Sequence, residues 1–366
     1  MKRYLLSLLF SACGLAGFSQ SKDDVWVSFY NEDSTLIGYK DSHGVEKIEP
    51  KFSGYTSGGK FQHLIAAMEE KAGQWKSYYL TKAGRTVGHD SLHIFDNGPD
   101  CESEGFIRFR DGKTDKVGLF DRHGNIAVPA VYNELTRVQN GLLVGLRDAQ
   151  KEYWEKEAHD GCNHYSWKGG KEVLLDTSGT VLAENIKYDN ALNFFSIQKV
   201  KTPPTDTTRS SFVAKDGGYY SVVSFEKEFS QWILQELRAG LTPERFVQIS
   251  YDTLTWEAPD GWAKSGREPF LAANFVVLKN GLSEMLQPGT DYFISGDGLN
   301  PFMYEGPAFE KYYNNCGEPK KEQYPTMSVI VSHKSKDDFS QNHYEFLRTD
   351  DGYKLISVTV RDAQLR

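Results

Sequence analysis

A short glycine-centred motif recurs along the first two thirds of the chain, and it limits the fold more than any other feature. The sequence Gly-x-x-Asp-x-His-Gly occurs at residues 38–44 and again at 118–124, and shorter copies end at Gly84, Gly179 and Gly217. In each copy a strand-like apolar pair is followed by a turn whose glycine supplies a positive φ. One such hairpin cannot bury its own apolar face, so neighbouring units have to stack. The pattern predicts an array of β-hairpins.

The second half of each unit is also recognisable. Pro50 and Pro129 follow the turn in the two best copies. We expect each proline to end the return strand, because proline cannot donate to a central ladder. An alternating strand then closes the unit, as at residues 105–109 and 141–146.

This pattern resembles the WG repeat of bacterial proteins, whose unit reads roughly Lys-Trp-Gly-x-x-Asp-x-x-Gly, a strand, a proline, Tyr-Asp, and an aromatic residue and a glycine before a last strand. Residues 116–124 fit best, and Pro129 and Tyr132 follow them. Val117 and Ile37 stand where the family has tryptophan, so the copies are degenerate. The resemblance covers about half of the chain. It implies β-hairpin repeats, curled like a propeller or stacked as an open array, with a binding role and no catalytic residues.

The first residues have the composition of a secretory signal peptide. Lys2 and Arg3 precede an apolar stretch, and small residues stand at the −3 and −1 places of a cleavage site after residue 19. We expect removal of residues 1–19 and export to the periplasm or the cell surface. The four residues ending at Cys13 also resemble the bacterial lipobox, with phenylalanine where that motif prefers leucine. A lipid anchor on Cys13 is the alternative, and no later stretch is long and apolar enough to span a bilayer.

Three cysteines remain after such cleavage: Cys101, Cys162 and Cys316. Export permits disulfides, and pairing of Cys101 with Cys162 is one possibility if their repeats are neighbours. Three separate thiols are the other possibility. The odd number and the wide spacing exclude a scaffold built on disulfides.

Charge and motif content restrict the function. Lys and Arg number 42 against 50 Asp and Glu, for a formal charge of −8, which argues against nucleic acid as a partner because phosphate binding needs a basic surface. The 13% of aromatic residues and the 33 glycines fit short strands and tight turns. The chain contains no nucleophile elbow, zinc-protease motif or Cys-x-x-Cys pair. We therefore predict no catalytic residue, cofactor or metal.

One unit carries an insertion. Gly124 and Gly179 are 55 residues apart where the earlier copies are 40 apart, and the extra residues fall near 150–170. Insertions in repeat proteins lie on one face, and aromatic side chains in a polar loop suit recognition. We predict a binding loop with these candidate residues: Tyr153, Trp154, His159, Tyr165 and Trp167. The nearby His159, Asp160, Cys162 and His164 could ligate a metal, but nothing fixes a tetrahedral geometry, so a ligand-contacting loop is the favoured interpretation.

Beyond residue 220 the periodicity changes. We divide the mature chain into a repeat domain, 20–220, and a smaller α+β domain, 221–366. Ser224 and Gly240 bound a predicted helix, and Thr242 opens a second. Residues 268–279 form a third helix or contain a strand at 275–278. Later strands are predicted at 328–333, 343–349 and 353–360.

Helices followed by a sheet are similar to the cone-shaped domains of the nuclear transport factor two class. The residues that carry this resemblance are Tyr344, Phe346, Gly352, Tyr353, Lys354 and Leu355. It implies a curved sheet closed over a helix with a pocket, an architecture that hosts many functions.

Two functional hypotheses follow. The first is a non-catalytic secreted or envelope protein whose repeat loops bind a protein, a glycan or an envelope component. The alternative places a small-molecule or enzymatic site in the C-terminal domain, with the repeats as a targeting module. In that case a pocket would be faced by His333, His343, Asp291 or Tyr344.

Overall fold

The structure is a computed structural model, and it describes residues 24–95, 98–154, 164–334, 339–361 and 363–365. The predicted signal peptide with Cys13, and also His159, Asp160 and Cys162, lie outside the described residues. Among those that are described, no helix has both the length and the apolar character needed to cross a bilayer.

The fold is mainly β, with hairpin units followed by a smaller α+β part, as the sequence predicts. The first two units form one antiparallel sheet in the order β4-β1-β2-β3-β5-β6-β7. Its strands are β1 Trp26–Tyr30, β2 Ile37–Lys40, β3 Glu46–Phe52, β4 Lys60–Phe61, β5 Leu64–Lys71, β6 Gln74–Thr81 and β7 Thr86–Val87.

The later units form smaller antiparallel sheets. A two-stranded hairpin, β8 Ile94–Phe95 and β9 Gly98–Pro99, precedes the three strands β10 Phe106–Asp111, β11 Lys116–Asp121 and β12 Ile126–Tyr132. The next sheet has the order β13-β14-β17-β18, with β13 Glu134–Leu135, β14 Leu142–Arg147, β17 Lys171–Asp176 and β18 Val181–Glu184. Between β14 and β17 the insertion forms a separate ribbon, β15 Gln150–Tyr153 and β16 Tyr165–Lys168. The last sheet of the repeat units contains β19 Leu192–Val200, β20 Arg209–Val213 and β21 Tyr219–Ser224.

The predicted turns are confirmed at all five positions. The turn glycines have φ between +76° and +94°. In three copies the aspartate Oδ1 accepts two backbone N–H groups of its own turn at 2.8–2.9 Å; these aspartates are Asp41, Asp121 and Asp176. In the copy ending at Gly84, the hydroxyl of Thr81 accepts from Arg85 N instead, at 3.1 Å. The same local chemistry therefore builds successive hairpins.

Equivalent buried tyrosines also recur in the core of successive units. Tyr39 and Tyr79 are both fully buried, and burial raises the pKa of each. The Tyr39 hydroxyl donates to Gly58 O at 2.8 Å, and that of Tyr79 donates to Arg108 O at 2.7 Å. Each tyrosine thus ties its strand to backbone that follows it in the chain.

Neighbouring units share hydrophobic cores, as the stacking argument predicts. Tyr79 of the second unit packs on Phe120 of the third, with ring centroids 5.5 Å apart. The third unit in turn shares a core with the fourth, in which Val117 and Leu119 pack with Leu143 and Val173. Burial between units supplies what a single hairpin lacks.

The expected role of the prolines is wrong. Pro50 and Pro129 lie inside β3 and β12, which continue to Phe52 and Tyr132. The pairing register shifts at both places, so the proline stands at a bulge where no ladder donor is needed. Opposite the bulge at Pro129, a Cβ on Gly118 would lie only 2.7 Å from Val128 O, so this position requires glycine.

Within the described residues, the C-terminal part contains three α-helices, two short 3-10 helices (Glu284–Leu286 and Glu310–Tyr312) and a curled six-stranded sheet. The α-helices are α1 Phe225–Arg238, α2 Pro243–Gln248 and α3 Arg267–Ser283. The sheet order is β23-β22-β27-β26-β25-β24, with β22 and β27 parallel and the other pairs antiparallel. Its strands are β22 Ser250–Ala258, β23 Gly261–Gly266, β24 Asp291–Asp297, β25 Thr326–Lys334, β26 Phe339–Thr349 and β27 Gly352–Thr359.

The predicted helices and late strands are confirmed, and residues 275–278 are helical. Thr242 caps α2 by accepting from Arg245 N, whereas the Ser224 hydroxyl makes no capping bond to α1. Strands β22 to β24 were not predicted. The helices cover one face of the sheet, and the segment 298–325 covers the other through Leu299 and Tyr304.

Covalent and polar contacts join the C-terminal part to the repeats. Cys101 is disulfide-bonded to Cys316, with Cα atoms 6.1 Å apart, so both sequence-based alternatives for the cysteines are wrong. The segment 298–325, called the C-terminal segment below, folds back onto the repeat array and brings together two cysteines that are 215 residues apart. Next to the disulfide, Lys60 N donates to Asn315 O at 2.8 Å, and Lys60 forms an ion pair with Glu310.

Candidate functional site

A cleft of about 950 Å³ lies where the later repeat units meet the C-terminal segment. Its size is at the upper end of the range for ligand sites, roughly 300–1,000 Å³. Three parts of the chain form it: the repeat strands β10 and β13, the inserted ribbon, and the C-terminal segment. The lining residues used below are His93, Asp100, Arg108, Arg110, Glu134, Arg137, Gln139, Tyr165, Trp167, Glu172, Tyr188, Asp297, Glu318, Lys321 and Glu322.

A buried carboxylate organises the first group of charges. Asp100 is 3% exposed and accepts from Arg108 Nη2 and Nε at 2.7 and 2.9 Å, and from Arg137 Nε at 2.8 Å. Arg137 also forms an ion pair with Glu318 of the C-terminal segment. Burial by itself would raise the pKa of Asp100, but the two guanidinium charges hold it well below its usual range. The same balance of burial and Arg137 lowers the pKa of Glu318. Both carboxylates are therefore ionised and paired at neutral pH.

A second group of charges centres on Glu134. Its Oε1 lies 2.7 Å from His93 Nε2, and its Oε2 accepts from Arg110 Nη2 at 2.7 Å. Burial opposes ionisation, but the His93 hydrogen bond and the charges of Arg110 and Arg108 lower the pKa of Glu134. Alternation along β10 puts Arg108 and Arg110 on the same face, so one strand supplies a cation to each carboxylate.

The inserted ribbon forms an aromatic wall. Tyr165 and Trp167 are half-buried, and their rings meet edge to face at 5.3 Å. Lys151 pairs with Trp167 across the ribbon, and its Nζ lies 4.1 Å from the Tyr165 ring centroid. The same Nζ forms a 2.6 Å ion pair with Asp115 at the β10–β11 turn. This bridge fixes the ribbon to the preceding unit and sets the position of the two rings.

Two buried polar atoms of cleft residues lack a partner. Within the described part of the chain, His93 Nδ1 and Gln139 Oε1 have no hydrogen-bond partner. Both residues are more than nine-tenths buried. A buried polar atom without a partner costs about 1–3 kcal/mol. Neither atom is open to solvent, so each is a cost to the folded state and not a contact point for a ligand in the cleft.

The structure separates the five predicted loop residues. Tyr165 and Trp167 line the cleft, whereas Tyr153 and Trp154 lie on the same ribbon but do not line it. Trp154 is 70% exposed, stacks on His164 and donates from Nε1 to Ser166 Oγ at 2.6 Å. His159 lies outside the described residues, as do Asp160 and Cys162 of the suggested metal cluster. In the ranges that the structure covers, no group of three or more His, Cys, Asp or Glu side chains is placed to hold a metal ion.

The four residues of the alternative C-terminal site do not converge. His343 and Tyr344 are consecutive on β26, so their side chains point to opposite faces of the sheet. Tyr344 is fully buried in the helix-side core. Asp291 forms an exposed ion pair with Lys334, and His333 Nε2 lies 2.8 Å from Glu284 Oε2.

The charged residues of the cleft were not found from the sequence. Asp100, Arg137 and Glu318 come from three distant segments, and no short motif connects them. The alternation of Arg108 and Arg110 with apolar residues along β10 was the available signal. Comparison with family models, with curated proteins and with solved structures finds no match for this chain in any of the three.

Proposed function

We propose that the protein is an exported, non-catalytic binding protein that holds its ligand in the cleft between the repeat array and the C-terminal segment. The observation that carries this proposal is the joint wall: the inserted ribbon contributes Tyr165 and Trp167, and a segment more than 100 residues later contributes Glu318 and Lys321. Half-buried aromatic residues beside fixed polar groups are the usual composition of a recognition site.

The charges of the cleft support binding rather than acid–base chemistry. A general acid at neutral pH needs a raised pKa. Asp100, Glu134 and Glu318 all have lowered pKa values because arginines pair with them. These carboxylates hold the arginines in place, and the arginines keep N–H groups in fixed directions. These arginine–carboxylate pairs form the floor of the cleft. Because they are ordered before a ligand binds, binding costs less conformational entropy.

Export is supported by the disulfide. Bonds such as Cys101–Cys316 form and persist in oxidising compartments and are rare in a reducing cytosol. The expected signal peptide over residues 1–19 agrees with this location, and acylation at Cys13 stays the alternative.

The test uses the full mature chain, labelled and applied to arrays of printed glycans, envelope polysaccharides and peptides. Trp167→Ala removes a ring from the cleft wall. Trp75→Ala removes an exposed ring of the same size from β6, where it does not line the cleft, and serves as the control. We expect array binding that Trp167→Ala abolishes and Trp75→Ala retains. Equal binding by both variants, or binding by neither wild type nor variants, would overturn the proposal.

One observation favours an enzymatic alternative in the C-terminal domain. Burial, with help from the charge of Asp297, raises the pKa of Glu345 to about 7, which is the range of a general acid. Glu345 is not among the residues that line the cleft, although Asp297 is. Incubation of array-positive ligands with the protein, followed by mass spectrometry, decides between the two. We expect unchanged ligands, whereas cleavage that Glu345→Gln eliminates would establish the enzyme.

A further inference from the structure

The charges in the cleft neutralise one another, and this restricts the ligand. Asp100 pairs with Arg108 and Arg137, Glu134 pairs with Arg110, and Glu318 pairs with Arg137. A charged ligand would have to compete with these internal pairs, at a cost in desolvation. These paired side chains therefore contribute polar groups to the floor of the cleft but little net charge.

The charges left over are acidic. Three carboxylates that line the cleft form no ion pair with any described residue: Glu172, Asp297 and Glu322. Among the cations of the lining, only Lys321 likewise forms no ion pair with a described residue. Three carboxylates repel phosphate, sulfate or uronate groups. Anionic ligands are thereby disfavoured, and neutral or cationic ligands remain.

The polar groups of the lining separate these remaining classes. The carboxylates of Glu172 and Glu322 accept hydrogen bonds. Arg108 and Arg137, by contrast, are donors only. A hydroxyl group both donates and accepts, so a polyhydroxylated ligand can serve both kinds of partner in a single site.

The aromatic wall fits the same ligand. Ring faces carry partial negative charge, and they attract the slightly positive C–H groups on the flat side of a pyranose ring. Tyr165 and Trp167 are held by the Lys151–Asp115 bridge, and the half-buried Tyr188 adds a third ring to the lining. A volume of about 950 Å³ suits several linked units better than a single small one.

We propose that the ligand of the cleft is an uncharged oligosaccharide, stacked on Trp167 and Tyr165 and hydrogen-bonded by the arginine-fixed floor. This inference rests on the proposed function, since it names the class of molecule that the same site takes. A basic peptide is the competing class, because it would use the leftover carboxylates.

Isothermal titration calorimetry on the mature chain distinguishes the classes. The probes are neutral hexasaccharides of glucose, N-acetylglucosamine and xylose, with hexagalacturonate as the anionic comparator and hexalysine as the cationic one. We expect at least one neutral hexasaccharide to bind, with an affinity that changes less than about twofold between 50 and 500 mM salt, because no net charge is involved. We expect hexagalacturonate and hexalysine not to bind.

Two variants locate the binding. Trp167→Ala should weaken the neutral hexasaccharide about tenfold or more, and Trp75→Ala less than about twofold. Each variant is compared with wild type by circular dichroism to show that it folds.

The outcomes separate this inference from the proposed function. Salt-sensitive binding of hexalysine that Trp167→Ala abolishes would overturn the oligosaccharide and leave the cleft as the site. Oligosaccharide binding that Trp167→Ala and Trp75→Ala affect equally would overturn the cleft as the binding site. No binding of any neutral hexasaccharide would overturn the proposed ligand class.

Discussion

Arg137 and Glu318 lie 181 residues apart in the chain and form an ion pair across the junction between the repeat array and the C-terminal segment. The same guanidinium also donates from Nε to Asp100 Oδ1 at 2.8 Å, deep in the repeats. One side chain therefore links the buried charge network to the opposite wall of the cleft. This link makes the cleft a property of the whole chain.

Replacing Arg137 should destabilise the protein. Arg137→Met removes one of the two arginines that pair with the buried Asp100, and losing one charge-assisted hydrogen bond there costs about 1.5–3 kcal/mol; the half-exposed Glu318 adds little. We expect the free energy of unfolding, measured by urea denaturation, to fall by about that amount. The control is Glu310→Gln, which removes the exposed pair with Lys60 and should have no measurable effect. A loss no larger for Arg137→Met than for the control would contradict the structural role of the network.

The stacking of the units predicts unequal costs at equivalent turn glycines. Gly84 and Gly124 have similar φ values of +84° and +76°, so alanine should strain both alike, by about 1 kcal/mol. A Cβ added at Gly84 has no heavy atom within 4 Å, whereas a Cβ added at Gly124 lies 3.1 Å from the Val87 side chain of the preceding unit. We expect Gly124→Ala to lower the free energy of unfolding by about 1 kcal/mol more than Gly84→Ala does. Equal costs would mean that the two units do not pack at this point.

The disulfide predicts a specific thiol count and a stability change. Alkylation of the unreduced, denatured mature chain should leave the peptides with Cys101 and Cys316 unlabelled and joined to each other. The double variant Cys101→Ser with Cys316→Ser should lose roughly 2–4 kcal/mol of unfolding free energy, because the crosslink restricts a long loop in the unfolded chain. Free labelling of either cysteine in the native protein would contradict the pairing.

The pKa of Glu345 predicts a pH dependence of stability. The folded-state pKa of about 7 lies above the ordinary value of 4.5, because burial and the charge of Asp297 disfavour ionisation. Folding therefore takes up a proton between these values, and the unfolding free energy falls as the pH rises from about 4.5 to about 7, by up to about 3 kcal/mol. Urea denaturation at about pH 5 and about pH 7.5 measures the change.

The matched variant is Glu345→Gln, which cannot ionise. It should show less of this pH-dependent loss than wild type, and the difference between the two proteins isolates Glu345 from histidines that titrate in the same range. Parallel pH profiles for wild type and Glu345→Gln would refute the raised pKa.

The sequence predicts the parts of this fold whose causes are local. The turn at Gly124 needs a positive φ and an acceptor at Asp121, and both requirements are visible within five residues. The aromatic insertion is visible as extra length between two turns. The pairing register of β15 and β16 is not visible, and it sets Lys151 opposite Trp167, where the lysine bridges the ribbon to Asp115.

Long-range pairing is the part that the sequence does not predict. The Cys101–Cys316 bond and the Asp100–Arg137–Glu318 network both depend on how the C-terminal segment returns to the repeats. Strand β23, Gly261–Gly266, was also missed, because it lies at the edge of the sheet with no residue of its span fully buried. Such an edge carries no hydrophobic alternation for a pattern to detect.

Hydrogen–deuterium exchange tests the central claim, which is that one ligand contacts both the repeat array and the C-terminal segment. The measurement compares the mature chain alone and with the neutral hexasaccharide that binds it most tightly. We expect slower exchange in the bound state at residues 134–139, 164–168 and 318–322 together, with helices α1 and α3 unchanged. Protection confined to one side of the cleft, or located in the helices, would contradict the account.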